Sequence, residues 1–187
     1  MASDALSSDR TSHWASRLRS DSGLIIAAWF LCIGIDFLLH AGILARLYLN
    51  ESPFLLPPES AFARILIGYF TFLVLTLSLW WLTAAVGAKG ARRGFQIGLV
   101  SGAVIWGALL LGLFSISTAP VDLLGAWWVG QAIELGAAGA VLGAGRETQD
   151  RRRIYARVAI IFFGCLVTTI LLQSFGWAPA METTPLG

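Results

Sequence analysis

Five apolar stretches, 24–49, 61–88, 95–119, 123–145 and 154–177, follow one another with only short polar connectors between them. Each is near the ~20 residues a helix needs to cross ~30 Å of hydrocarbon. Lipid offers an unpaired backbone N–H or C=O no partner, so a crossing segment must be helical. The pattern therefore predicts an all-α integral membrane protein, a bundle of five transmembrane helices. The first two stretches are long enough to tilt or to emerge from the bilayer. The fourth, rich in glycine, carries the weakest apolar signal.

Composition narrows the function classes. Of 187 residues, 57% are hydrophobic and 13% charged, and the mean hydropathy is +0.74, far from a soluble domain. The connectors leave no room for a soluble catalytic domain, which places an enzyme behind other readings. A net charge of +2, with basic residues scattered between apolar runs, excludes a nucleic-acid partner. The lipid bilayer is the expected surrounding. The single Lys89 against twelve arginines, with abundant Ala and Gly, is a GC-rich bacterial composition, and the expected location is a bacterial cytoplasmic membrane.

Residues 1–22 are polar and serine-rich, with Arg10, Arg17 and Arg19, and read as a disordered or interface-lying tail. The apolar run that follows is too long for a signal peptide and lacks a small-x-small cleavage site, so the first span is expected to stay in place. Residues 178–187 form a C-terminal tail. Lys and Arg in the short connections set orientation. Lys89, Arg92 and Arg93 lie between spans two and three, and Arg146 and Arg151-Arg152-Arg153 lie between four and five, with Arg157 just beyond. The opposite connections carry Glu51, Glu59 and Asp122, and the C-terminal tail carries Glu182. The expectation is an N-terminus in the cytoplasm and a C-terminus outside. In the outer loop, Asn50-Glu51-Ser52 matches a glycosylation sequon, best read as chance. Phe54-Leu55-Leu56, flanked by prolines, reads as a rigid turn ahead of a dip into the interface.

Ionisable residues inside the spans are the candidates for function. Asp36 and His40 are four apart, so in a helix they share a face. Asp36 is about twelve residues, ~18 Å, from the outer end near Tyr48, and Glu134 lies at a similar depth in the fourth span. Gln131, one turn outward, is level with His40. An ionised Asp at a helix centre costs about 2.5–3.5 kcal/mol on insertion scales. Two carboxyls at one depth should therefore meet, and the expected polar site is Asp36, His40, Gln131 and Glu134 between the first and fourth helices. Arg46 and Arg64 stand nearer the outer surface and could snorkel to it. Arg64, Thr71 and Ser78 form a polar stripe on the second helix. The alternative for each buried charge is a private hydrogen bond that only fixes helix rotation.

Small residues mark a packing face. Ala132, Gly136, Gly139 and Gly143 line the side of the fourth helix opposite Glu134, and such strips allow close helix approach. Gly98-x-x-x-Gly102 repeats the device on the third. Trp80-Trp81, Trp127-Trp128 and Trp177 fall near span ends, where interfacial belts form, while Trp29 and Trp106 lie deep. Cys32 and Cys165 sit in apolar runs and read as small buried hydrophobes.

Three functions compete. The first is a protein that handles protons or small cations at the Asp36, His40 and Glu134 site. The second is an accessory or structural subunit, in a homo-oligomer or a larger membrane complex. The third, behind these, is a metal-binding membrane enzyme with the same three residues as ligands. No CxxC or HxxxH spacing is present, so the sequence assigns no metal and no cofactor. With His13 in the tail, one deep histidine rules out bis-histidine haem within the chain.

Five helices, eight tryptophans and the Pro57-Pro58 loop after the first span superficially resemble the tryptophan-rich sensory or translocator protein family. The aromatic-proline loop and following tryptophan-tyrosine pattern of that family are not reproduced in NESPFLLPPES, Tyr69 and Trp80-Trp81. No site residue is carried across.

Overall fold

A computed structural model of the chain describes residues 2–48, 54–56, 60–61, 63–148 and 150–179, with side chains from Ser16 onward. Five long helices account for most of it: α1 (Ala2–Leu38), α2 (Ile65–Ala85), α3 (Ala91–Ile116), α4 (Val121–Glu147) and α5 (Arg151–Ser174). Among the described residues there is no strand. After Leu38 the first helix widens into a π turn, Leu39–Ile43, and then tightens into a 3-10 turn, Ala45–Tyr48.

Among the described residues four helical segments are long and apolar enough to cross a membrane: Ser16–Ile43, Ile65–Ala85, Ala91–Ile116 and Arg151–Ser174. Their outward faces carry Leu66, Phe70, Val104, Leu111, Ile160 and Phe163, all exposed. In water such a continuous apolar surface would aggregate; in lipid it is at rest. Four such helices point to a membrane protein. The glycine-rich α4 is not among them. It is instead the innermost element, with more than half of its residues buried and packing against α1, α2, α3 and α5. Its polar and glycine positions lower its apolar content, and its neighbours replace lipid around it.

The α3–α4 contact explains the glycines. The buried residues of α3 are Gly94, Gly98, Gly102 and Leu110. A Cβ on Gly94 would strike the Gly139 carbonyl, and one on Gly98 the Leu135 carbonyl. A Cβ on Gly102 would come 2.8 Å from the Ala132 Cα. The two backbones touch without side chains between them, the geometry small-residue strips permit. At the end of the seam Gly90, at φ 84°, donates its N–H to the Gly143 carbonyl at 2.9 Å.

Polar contacts collect at the two ends. At one, Arg151 pairs with Asp21 at 2.7 Å and donates to the Ser20 carbonyl at 2.5 Å. Trp80 Nε1 donates to Asp21 at 3.1 Å, and Arg146 donates to the Trp80 carbonyl at 2.7 Å. At the other, Arg46 donates to the carbonyls of Trp177 and Gly176 at 3.1 and 3.3 Å. Hence α1 and α5 run in the same direction. The connections holding Lys89, Arg92, Arg93 and Arg151 gather at the Asp21 end.

Two expectations change. Residues 2–22 are helical, continuous with the first span, where a disordered or surface-lying tail was expected. The segment contains no Pro or Gly before Gly23, and extending an existing helix costs far less than nucleating one. The first span, expected as helix from 24 to 49, breaks after Leu38. Asn50, Glu51, Ser52, Pro57, Pro58, Glu59 and Glu182 lie outside the described residues. Phe54 packs against Trp127, with ring centroids 6.4 Å apart.

Candidate functional site

Asp36 and His40 face α4 from one side of the first helix, and Glu134 faces them. One carboxylate oxygen each from Asp36 and Glu134, with a ring nitrogen of His40, lie within 4.8 Å of one another. His40 Nε2 is 3.4 Å from Asp36 Oδ1. Glu134 is 0% exposed and Gln131 is 4% exposed, and Gln131 Nε2 donates to Glu134 Oε1 at 3.4 Å. The four residues expected from the sequence are thus brought to one place. One turn from Glu134, Gly130 leaves room for Leu39, whose Cδ1 would be 3.2 Å from an added Cβ.

The break in the first helix supplies the rest. Across the π turn Leu44 N–H donates to the Leu39 carbonyl at 2.7 Å. A wide turn frees backbone groups, and Gln173 of α5 donates to the Ala41 carbonyl at 3.0 Å. Gly42 is buried against α5, where a Cβ would be 3.2 Å from Leu172 Cδ1. Isolated π turns recur at functional sites. Here the turn has a direct geometric effect. In an unbroken helix Tyr48 would stand ~12 Å along the axis from His40; folded back, its hydroxyl hydrogen-bonds His40 Nδ1. Trp127 Nε1 of α4 donates to the same hydroxyl at 2.6 Å.

These bonds constrain protonation. An indole N–H only donates, so Tyr48 accepts from Trp127, and its own proton is free for His40 Nδ1. In that tautomer Nε2 carries the proton and donates to Asp36. In the other, Nδ1–H donates to Tyr48, and the Nε2 lone pair faces the two carboxyls. The site therefore offers either a hydrogen-bonded chain or an imidazole lone pair with two acidic oxygens.

Its polar balance is incomplete. Among the described residues, Glu134 Oε2 and Gln131 Oε1 are buried with no hydrogen-bond partner. Among the described residues no Lys or Arg pairs with Asp36 or Glu134. Buried acceptors without donors are costly, and unpaired buried charges more so.

Other candidates lie elsewhere. Arg46 caps the end of α5, and Arg64 precedes α2 with its side chain exposed; neither joins the site. Thr71 and Ser78 are exposed and donate to their own helix at the carbonyls of Ile67 and Val74. Trp29 Nε1 donates to the Tyr69 carbonyl at 2.7 Å, a contact between α1 and α2. Cys32 and Cys165 are free and buried, and the Cys32 thiol faces the Glu134 backbone carbonyl at 3.5 Å. Tyr48 and Trp127 were not expected at the site. Trp127 reads from sequence as an interfacial belt residue, and nothing in the sequence announces the π turn that returns Tyr48 to His40.

The fold and site together define a helical membrane protein with a polar cluster in its interior. No family model, curated protein or solved structure matches the chain, so the chemistry of its own residues must carry any functional reading.

Proposed function

We propose that the chain is a five-span protein of a bacterial cytoplasmic membrane that handles a small cation, a proton or metal ion, at Asp36, His40, Gln131 and Glu134. In this arrangement α4 is the fifth span, the N-terminus is cytoplasmic and the C-terminus lies outside. The basic connections gathered at the Asp21 end support that orientation through the positive-inside bias. The observation that carries the functional reading is the meeting of two carboxyls and an imidazole inside the bundle, at the end of α1 and the middle of α4, with no Lys or Arg among the described residues pairing with the carboxyls. Ionisable groups held inside a membrane at such cost mark ion paths by default.

The test is flux in proteoliposomes. Glu134→Gln keeps the shape and removes the acid, and it should abolish cation movement that the unaltered chain supports. Undiminished movement in the variant would refute the proposal. The accessory-subunit reading places partner contacts on small-residue faces and interfacial aromatics; the α3–α4 seam already occupies the small-residue face of α4, while Trp81, Trp128 and Trp177 stay exposed. A partner recovered at fixed ratio after mild-detergent purification would favour that reading instead.

A further inference from the structure

The geometry points to a divalent first-row transition cation as the ion, bound by His40 Nε2 and one carboxylate oxygen each from Asp36 and Glu134, with the Gln131 amide oxygen as a further donor. The inference rests on the proposed cation-handling role and gives it a chemical class.

Charge gives the first reason. Two carboxylates, a neutral imidazole and a neutral amide sum to two negative charges, which one divalent ion cancels. Spacing gives the second. Metal–nitrogen and metal–oxygen bonds of ~2.0–2.2 Å set two ligands of a tetrahedral ion about 3.4 Å apart. The His40–Asp36 separation is 3.4 Å. The widest spacing in the cluster, up to 4.8 Å, closes with a shift of order 1 Å, within side-chain rotation.

The unpartnered atoms give a third and independent reason. Gln131 Oε1 and Glu134 Oε2 are buried acceptors with no donor among the described residues, and a cation satisfies acceptors without needing a proton. The Gln131 side chain is held at the site by its bond to Glu134 Oε1.

The outer shell fits the same assignment. A ligating histidine ordinarily donates its second ring N–H to an oxygen that fixes the tautomer. Here that oxygen is Tyr48 Oη, itself anchored by Trp127. With Nδ1–H pointed at Tyr48, the Nε2 lone pair is free for the ion.

The donor set also selects. Calcium takes six to eight oxygens, and magnesium keeps several waters in strict octahedral geometry. One imidazole with carboxylate and amide oxygens in a buried site suits Mn, Fe, Co or Zn better.

The test uses the full chain in lipid nanodiscs, stripped with chelator and titrated with Zn²⁺, Mn²⁺ and Co²⁺ separately. Binding is read by calorimetry and by metal analysis after dialysis, and the Co²⁺ complex also by its visible spectrum. One ion per chain is expected, with affinity lowered at least 100-fold in Asp36→Asn and Glu134→Gln. Tyr48→Phe, which leaves every ligand in place, should weaken binding about 10–100-fold. The Co²⁺ spectrum reports a nitrogen-and-oxygen environment that His40→Ala must alter, so the assignment stays falsifiable if a carboxyl variant fails to fold. If the unaltered chain binds none of the three ions while Glu134-dependent proton flux persists, the metal assignment falls and the cation-handling role stands. If neither binding nor flux is found, both fall. Binding kept in full by both carboxyl variants would locate the ion elsewhere and overturn the assignment.

Discussion

At the scale of single residues, Tyr48 ties His40 of the polar cluster to Trp127 of α4. Its hydroxyl receives the Trp127 N–H at 2.6 Å and bonds His40. Tyr48→Phe keeps the ring and removes that oxygen, leaving two partly buried polar groups without their partner. The expected loss of stability is about 1–3 kcal/mol, read as a shift in the unfolding midpoint in mixed detergents; an unchanged midpoint would show that these bonds do not hold the folded protein together. Asp36, His40, Gln131 and Glu134 were legible because helical spacing and distance from the span ends are sequence quantities. Tyr48 was not, since its position depends on a π turn stabilised from another helix through Gln173 and the space at Gly42.

At the scale of elements, the α3–α4 seam makes a contrast between glycines. Gly98→Val would drive a branched side chain into the Leu135 carbonyl, and backbone cannot yield as a flexible side chain can. A loss of about 1–3 kcal/mol or more is expected, measured by the same unfolding titration. Gly68 in α2 and Gly164 in α5 have nothing within 4 Å of an added Cβ. Their replacement by Ala should be neutral or stabilising by roughly 0.5–1 kcal/mol, through helix propensity. Equal effects at Gly98 and Gly164 would contradict the packing. The small-residue face of α4 was readable from periodicity, as was its placement opposite Glu134. That Gly94 and Gly98 of α3 would be its partner was only hinted by a common motif, because small-xxx-small spacing names a face and not its mate.

For the whole molecule, the topology turns on α4. Among the described residues hydropathy alone selects four spanning helices, while the packing surrounds α4 with the other long helices. A 27-residue helix is ~40 Å long, enough to cross. Single cysteines at Asp122 and Asp150, in a chain with Cys32 and Cys165 replaced by Ala, would settle it with a membrane-impermeant thiol reagent. If α4 crosses, Asp122→Cys reacts from outside and Asp150→Cys only from the cytoplasm; reaction of both from one side would leave four spans. The membrane class was legible from the apolar runs and the basic connectors. The helical form of residues 2–22 was not, because composition reports solubility and does not reveal that a neighbouring helix can be extended.

The central claim is that Asp36 and Glu134 meet at His40 in the lipid-embedded protein. The chain has two histidines, so His13→Ala leaves His40 as the only imidazole. Solid-state NMR of that variant in liposomes, with ¹⁵N-labelled histidine and ¹³C-labelled Asp and Glu carboxyls, measures dipolar coupling across the cluster. The expected result is coupling of His40 Nε2 to one aspartate and one glutamate carboxyl, the first lost in Asp36→Asn and the second in Glu134→Gln. Coupling to aspartate alone, or to neither, would contradict the shared site.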